Sequence, residues 1–423
     1  MTDKDFSKYN LIVGWAVFAV VLLTYSLTVE PTVSFWDCGE YIATSAKLEV
    51  GHPPGAPFFQ MMGAFIAAFA PNTDKIALLV NYMSVLSSAF TVFFLYFIIV
   101  NLAKKIALRS ADTLSVAHTV AVMGSGVVGA LAYTFSDSFW FNAVEAEVYA
   151  MAMLFMSVMF WLGIKWTDSL HEPRGDRWLL LISLVVGLSF GVHFMALLTI
   201  PAIGMLYFFN SHYKKNVWNF LLANVVSIAV LLLIFKLILP YTLAYFGYLE
   251  VYFVNSFGMP FNSGTIIAGL TLVAFFFFAL RYASQKKKVR LQTATLCLLF
   301  VFIGFSSWLM IPIRSNADTV INENSPTDAR LLLAYYNLEQ YPETHLFYGP
   351  MYSDKYAGID EDYPYQDAKP KYERDYTTGR YIIVNQYKNA QVASNRKQMG
   401  FLPRMWSPQH AASPINIQLR PAT

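Results

Sequence analysis

Two acidic pairs and two histidines stand in polar stretches between long apolar runs. Asp37 and Glu40, in SFWDCGEYIATSAKLEVGHPPGAPFF, are three residues apart, which on a helix puts both carboxylates on one face. A carboxylate held among Phe35, Trp36 and Tyr41 can serve as a general base, because partial burial raises its pKa and with it its basicity. The alternative is that one carboxylate caps a loop helix and the other is solvated. His52 could bind a phosphate or a hydroxyl, while Pro53 and Pro54 fix an extended entry into the next helix; a purely structural turn is the other reading.

A second stretch, FSDSFWFNAVEAEVYAM, carries Asp137, Glu145, Glu147 and Tyr149, the last three opening an apolar run. Carboxylates at a helix N-terminus are favoured by the helix dipole, so capping competes with binding here. Against capping, Glu147 lies near bilayer depth, where ionisable groups mark functional cavities. His193 sits in the apolar stretch 178–210, as a packed or a cavity histidine. Arg314 follows an apolar run at once, and its planar fork of donors suits a phosphate of a substrate or of a lipid headgroup. Lys236, inside another run, either snorkels or lines a cavity.

The elements that must position these groups are membrane helices. With 56% hydrophobic and 13% charged residues over 423, the chain has more apolar surface than one aqueous core can bury. Apolar runs of the length that crosses a hydrocarbon core about 30 Å thick fall at 11–28, 76–101, 116–134, 146–164, 178–193, 195–210, 217–240, 264–281 and 292–311. That predicts an all-α polytopic membrane protein with about nine transmembrane helices. The first run lacks a small-residue cleavage site and reads as an uncleaved signal anchor.

With the N-terminus in the cytoplasm, fifteen Lys and Arg fall in cytoplasmic segments, and only Lys47 and Lys75 in exported loops before the C-terminal region. The same distribution favours a tight hairpin over one long helix for 178–210, turning near Gly191 and His193 within the membrane. The 15-residue stretch 56–70 is too short to cross and reads as a juxtamembrane helix, so the first exported loop runs from 29 to 75.

Residues 1–311 thus form a transmembrane module and 312–423 a small α+β extracytoplasmic region, one that suggests a longer chain because no closing span follows. Within it, Ser325 and Asp328 precede a capped helix, ARLLLAYYNLEQY, and KYERDYTTGRYIIVNQYK reads as two strands joined at Thr377 to Gly379. A net charge of +3, with basic residues scattered among short loops, speaks against a nucleic-acid partner. Cys38 and Cys297 build no disulfide framework, zinc motif or thiol redox motif.

The stretches FWDCGEYIATSAKLEVGHPPGAPFF, NAVEAEVYAM and IRSNADTVINENSPTDARLLLAYYNLEQY together resemble the GT-C-fold membrane glycosyltransferases. The likeness is to a Bacteroidota family once classed as a domain of unknown function and related to protein O-mannosyltransferases. HPPG is also similar to the HPPL-type motif of protein mannosyltransferases and aminoarabinose transferases.

The resemblance implies transfer of a sugar, mannose by the relatives, from a polyprenyl-phosphate donor to a hydroxyl of an exported protein acceptor, with inversion. Asp37 matches the acidic residue at the centre of GT-C sites, and Cys38 stands where several relatives have a second acid, leaving Glu40 as its substitute. His52, Glu145, Glu147, Tyr149, His193 and Arg314 are the expected substrate-binding residues, with Arg314 first and His52 second on the donor phosphate. No metal ligand is assigned and no tightly bound cofactor is expected. Dependence on a divalent cation stays open, since carboxylate pairs permit one without requiring it. The family's bacterial members imply an inner membrane with a periplasmic active face.

Two other classes fit a polytopic chain. A secondary transporter would show repeated halves with broken helices and midplane charges, neither of which is visible here. A membrane assembly component would not depend on an acidic first loop.

Overall fold

A computed structural model describes residues 2–109, 112–341, 347–350, 360, 362–367, 369–385, 391–393, 395 and 399–401. The chain is predominantly helical. α1 (Asp3–Ser26) is capped by Thr2 and leads into two short helices, α2 (Cys38–Lys47) and α3 (Pro57–Ala67). α4 (Ile76–Ala107), α5 (Val116–Thr134), α6 (Asp137–Ala143) and α7 (Val148–Asp168) follow. Next come α8 (Arg177–Ser189), α9 (Thr199–Asn210), α10 (Val217–Leu232) and α11 (Leu239–Phe257). α12 (Ser263–Gln285), α13 (Val289–Phe305), α14 (Met310–Ser315) and α15 (Ala329–Tyr336) complete the helices.

Seven helical stretches among the described residues are long and apolar enough to cross a membrane, where the sequence predicts nine. The difference lies in 178–210. There α8 and the stretch Phe194–Asn210 are separate short apolar helices, each below crossing length. This is the hairpin expected from the charge distribution, with arms too short to count as full spans.

A second difference lies at the predicted end of the run 217–240. α10 continues through a π-helical segment, Leu233–Ile238, into α11, giving 41 helical residues. At 1.5 Å per residue that is about 60 Å, roughly twice the hydrocarbon thickness. Pro240 has no N–H to give, yet the helix does not stop there. The wider π-helical turn lies immediately before it, and apolar and aromatic residues continue on its far side. Lys236 is exposed on this segment, its ammonium 4.8 Å from the Phe235 ring centre, so of its two sequence readings the snorkelling one fits.

The chain divides into two compact units. The first comprises Met1–Tyr245 with Leu270–Asn337. In it α4 is the central helix, packed on α1, α5 and α7. Its buried Asn81, Ser84, Ser87, Ser88 and Thr91 form a stripe of small polar residues that allows close approach of neighbouring helices. α8 crosses α13 where Gly187 and Gly304 meet. A Cβ on Gly187 would stand 2.1 Å from the Val301 carbonyl oxygen, so the backbones touch there. A second core gathers Phe190, Phe305, Trp308, Tyr335 and Tyr336, with the Trp308 indole N–H donating to the Phe190 carbonyl at 2.8 Å. The outer faces of α10 and α12 expose Leu, Val, Ile and Phe in runs, a surface made for lipid.

The expected cap of α15 is Asp328, whose carboxylate accepts from the N–H groups of Arg330 and Leu331; the helix ends at Tyr336, short of the predicted extent.

The second unit comprises Phe246–Gly269 with Leu338–Thr423. Its described strands form three antiparallel pairs: β1 (Tyr348–Pro350) with β6 (Met399–Phe401), β2 (Tyr365–Gln366) with β5 (Gln391–Val392), and β3 (Tyr372–Asp375) with β4 (Arg380–Ile383). The last is the predicted hairpin. Its turn is held by Asp375, which accepts from the N–H and hydroxyl of Thr377 and the hydroxyl of Thr378. Glu250 is buried in this unit and accepts from the Asn262 and Thr265 N–H groups and from the Tyr381 hydroxyl, which fastens the start of α12.

Candidate functional site

The first loop is pinned before its chemistry begins. Asn81 of α4 donates to the carbonyls of Glu30 and Thr32 at 2.7 and 2.9 Å, and Cys38 is fully buried against the same asparagine. Between these anchors the chain turns sharply at Trp36, which takes a left-handed φ of 59° and leaves its indole exposed. α2 starts at once, with Asp37 as its N-cap residue. The Asp37 carboxylate makes no capping hydrogen bond and remains 59% exposed. The capping alternative is therefore not what the structure adopts for Asp37.

Glu40, one turn on, is committed differently. Its Oε1 accepts the His52 backbone N–H at 2.6 Å and its Oε2 meets His52 Nδ1 at 2.9 Å. Burial alone would raise the Glu40 carboxyl, but the two His52 hydrogen bonds outweigh it and hold the carboxyl below its usual value. The same bond, acting against burial, raises the His52 imidazole above its usual value. The opposite imidazole nitrogen, Nε2, lies 3.8 Å from Asp37 Oδ2, beyond hydrogen-bond range.

Both ends of the His52 segment are fastened. α2 closes at Leu48, which is left-handed at φ 51°, and Arg314 donates from Nε to the Leu48 carbonyl at 2.6 Å and from Nη2 to the Lys47 carbonyl at 3.3 Å. The guanidinium thus sits on the carbonyl end of the helix whose first turn carries Glu40, a favourable place for a cation. It is not among the residues lining the cavity described below. Val50 pairs with Ile321 and Glu323 through backbone bonds, and the Tyr335 hydroxyl donates to the Gly51 carbonyl at 2.5 Å.

α3 begins with Pro57 and turns its first free N–H groups, those of Phe58 and Phe59, onto the Gly191 carbonyl at 2.8 and 3.0 Å. Only glycine permits that approach, since a Cβ at 191 would lie 2.7 Å from the Phe58 Cβ and 2.6 Å from the Ser307 hydroxyl. The hairpin turn of 190–193 is thereby brought to the first loop. His193 accepts the Met195 N–H on Nδ1 at 3.1 Å, which leaves Nε2 as the donor, and its ring packs 5.1 Å from that of Tyr149.

The second loop supplies the opposite wall. Glu147 is the N-cap residue of α7 but makes no side-chain cap, and it is 5% exposed. Burial first, then the charges of Asp37 and Glu145, push its carboxyl up to about 7. Glu145 is also buried, which raises its carboxyl, and it bonds to Ser34 instead of reaching the cavity.

These elements enclose a cavity of about 110 Å³ lined by Asp37, Tyr41, His52, Glu147, Tyr149 and His193 on its polar side. Pro54, Gly55, Val148, Phe190, Val192 and Phe194 make the rest of its wall. Of the eight residues singled out from the sequence, five line it, Glu40 stands directly behind His52, and Glu145 and Arg314 do not reach it. Tyr41 was foreseen only as a neighbour of the first-loop carboxylate, and the apolar wall was not foreseen, because an apolar residue in such a chain carries no signal of which cavity it will face. Asp37, Glu40 and His52 also bring one ligand atom each to within 4.8 Å of one another. The cavity therefore offers an exposed carboxylate, a second, buried one, two imidazoles and a lipid-like wall, with no lysine or arginine among its described lining residues.

Residues 37–217 match the family model described as the protein O-mannosyl-transferase TMEM260 N-terminal domain. Every cavity residue lies within that segment. Residues 342–415 match a family of unknown function. A protein O-mannosyl-transferase tmem260 of Dictyostelium discoideum is 26% identical over 224 residues, 50% of this chain and 25% of that protein. The TMEM260 protein of Mus musculus is 26% identical over 154 residues, 36% of this chain and 19% of its own length. The chain thus matches about a quarter or less of these relatives' length. No solved structure matches it significantly. The N-terminal part of this chain is related to protein O-mannosyltransferases and, through them, to membrane glycosyltransferases.

Proposed function

We propose that this membrane protein, related over 37–217 to protein O-mannosyltransferases, transfers a sugar from a polyprenyl-phosphate donor to a hydroxyl of an exported protein. Mannose is the sugar the relatives' names suggest. The observation that carries the reading is the Asp37 carboxylate, uncapped and exposed at a cavity that lies wholly inside the matched segment.

In this reading Asp37 accepts the proton of a serine or threonine hydroxyl as that oxygen attacks the anomeric carbon. The lipid phosphate departs from the opposite side, which inverts the sugar, and the cavity holds the two reactants in line. The phosphate leaves without needing a proton at neutral pH, but its charge must be met. His52, raised by Glu40 and facing the cavity, takes that part, and Arg314 supports the site by holding α2. Glu147 and Tyr149 bind sugar hydroxyls or orient the acceptor, with the His193 Nε2–H as a further donor. Phe190, Val192 and Phe194 suit the first isoprene units of the carrier.

The concentration of Lys and Arg in alternate loops supports a reading in which this face lies opposite the cytoplasm, the periplasmic side of a bacterial inner membrane.

The test is transfer of labelled sugar from polyprenyl-phosphate mannose to protein in membranes with wild type or Asp37→Asn at matched expression. Alkali-labile label on protein that disappears in the variant is the expected result. Equal labelling by both would remove the base from Asp37.

A further inference from the structure

The start of the first loop is left bare by the fold. Leu23 near the end of α1 and Leu27 just past it are exposed, and the exposure continues through Val33 to Phe35 at 77% and Trp36 at 85%. The next residue is Asp37, the proposed base.

Three hydrogen bonds set the level of this stretch. The Tyr25 hydroxyl donates to the Thr134 carbonyl at 2.8 Å, the Trp140 indole N–H to the Thr28 hydroxyl at 3.0 Å, and the Glu30 N–H to the Val144 carbonyl at 3.0 Å. Thr134 is the last residue of α5, and α1 and α5 are both long and apolar enough to cross a membrane. Residues 27–36 therefore begin where two such helices end together, and Phe135 and Phe141, close in sequence to the bonded Thr134 and Trp140, are exposed as well. Apolar residues that continue the exposed face of a span at its boundary meet lipid. Tryptophan suits that depth, since its ring is apolar and its N–H can reach headgroups or water. The stretch carries one charge, Glu30, and that carboxylate is turned back onto the N–H and hydroxyl of Thr32.

The exposure is not that of a loose end. Asn81 holds the Glu30 and Thr32 carbonyls on one side, and Cys38 is buried on the other, so the segment between them is fixed. Trp36 takes a left-handed φ of 59°, a region that bulky residues rarely occupy, and its indole gains nothing from burial within the fold. Strain of this kind persists only where the surroundings impose it, and here its effect is to leave the indole outside the protein.

We propose that Phe35 and Trp36 insert into the lipid leaflet that the first loop faces and act as an anchor that fixes the depth of Asp37. The anchor holds the following residue at headgroup level. In a polyprenyl-phosphate sugar the anomeric carbon is one phosphate away from the lipid chain, so base and reacting carbon meet at the same depth. This second part rests on the transferase reading, whereas insertion itself does not. Trp36 is then a positioning residue, acting through where it puts the Asp37 carboxylate.

The experiment uses the full chain in phosphatidylcholine vesicles. Trp36→Cys and, separately, Phe35→Cys are labelled with nitrobenzoxadiazole in a Cys297→Ser background, where Cys38 is fully buried, and Leu23→Cys serves as the lipid-facing reference. Nitroxide-bearing lipids and aqueous iodide are the quenchers. Labels at 35 and 36 should be quenched by nitroxides at the headgroup and high on the acyl chain and be shielded from iodide, with or without acceptor protein. Free quenching by iodide with none by the lipid nitroxides overturns the anchor. Shielding that appears only when acceptor protein is added also overturns it and gives the two rings to the acceptor. Sugar transfer is measured in the same vesicles. Trp36→Ser should lose about 10-fold with a long-chain polyprenyl-phosphate mannose, remain near wild type with a water-soluble short-chain analogue, and be rescued by Trp36→Tyr. Equal loss with both donors overturns the depth-setting role. Inserted labels without transfer by any preparation uphold the anchor and remove the transferase.

Discussion

The two acidic loops each bring a pair of carboxylates to one end of the helical bundle, and each divides its pair. In the first, Asp37 faces the cavity and Glu40 is spent on His52; in the second, Glu147 faces the cavity and Glu145 rests on Ser34. The two cavity carboxylates nevertheless differ in kind. Asp37 is 59% exposed at the start of a short surface helix, while Glu147 is 5% exposed at the head of a long apolar one. Residue type does not decide what an acid can do; the dielectric and the neighbouring charges do. An open carboxylate can take a proton from an incoming hydroxyl, whereas one pushed up to about 7 is poised between hydrogen-bond donor and acceptor near neutral pH.

Apart from Asp37 itself, the comparison is broken most strongly at His52, which both first-loop carboxylates face. His52→Ala should lower sugar transfer by about 10²-fold, the scale of losing one group that stabilises developing charge. Glu40→Gln should cost less, about 10-fold, because it acts through the imidazole. The double variant should be no worse than His52→Ala alone, as expected of groups in one network; an additive result would give Glu40 a role of its own.

The coupling between the loops is visible in a titration. In purified protein the Glu147 carboxyl should ionise with a midpoint at about 7, read by its infrared band. Asp37→Asn removes a neighbouring negative charge that disfavours the Glu147 carboxylate, so the midpoint should move down toward the ordinary 4.5; an unmoved midpoint would mean that the two loops do not share a field. The smallest effect belongs to Glu145→Gln. That side chain does not line the cavity, and a transfer rate within about 3-fold of wild type is expected, against the 10²-fold or more of a direct acid or base.

Much of this was legible beforehand for identifiable reasons. The spans follow from apolar length, and the hairpin at 178–210 follows from the need to keep Lys214, Lys215 and Lys286 to Lys288 on one side. Asp37, His52 and Glu147 stood out because ionisable groups beside apolar runs are costly to place without a purpose. Arg314 illustrates the limit. The sequence offered a cation near the exported interface, but its partners are the Leu48 and Lys47 carbonyls, more than 260 residues earlier, and no local pattern announces a helix C-terminus that distant. Similarly, the passage of one helix through Pro240 depends on a π-helical segment set by backbone accommodation, which hydropathy does not encode. The contact of α3 with Gly191 places His193 by a backbone bond between segments far apart in the chain, so its ring could be placed near the membrane but not opposite Tyr149.

The central claim is that Asp37 performs the chemistry and Glu147 holds a substrate. It is tested most directly by comparing Asp37→Asn and Glu147→Gln in one transfer assay with varied polyprenyl-phosphate mannose. Asp37→Asn should lower kcat by about 10²- to 10⁴-fold, the contribution of a general base, whereas Glu147→Gln should act mainly by raising KM. The opposite pattern, a collapse of kcat in Glu147→Gln with kcat preserved in Asp37→Asn, would contradict the account and move the base to the buried acid.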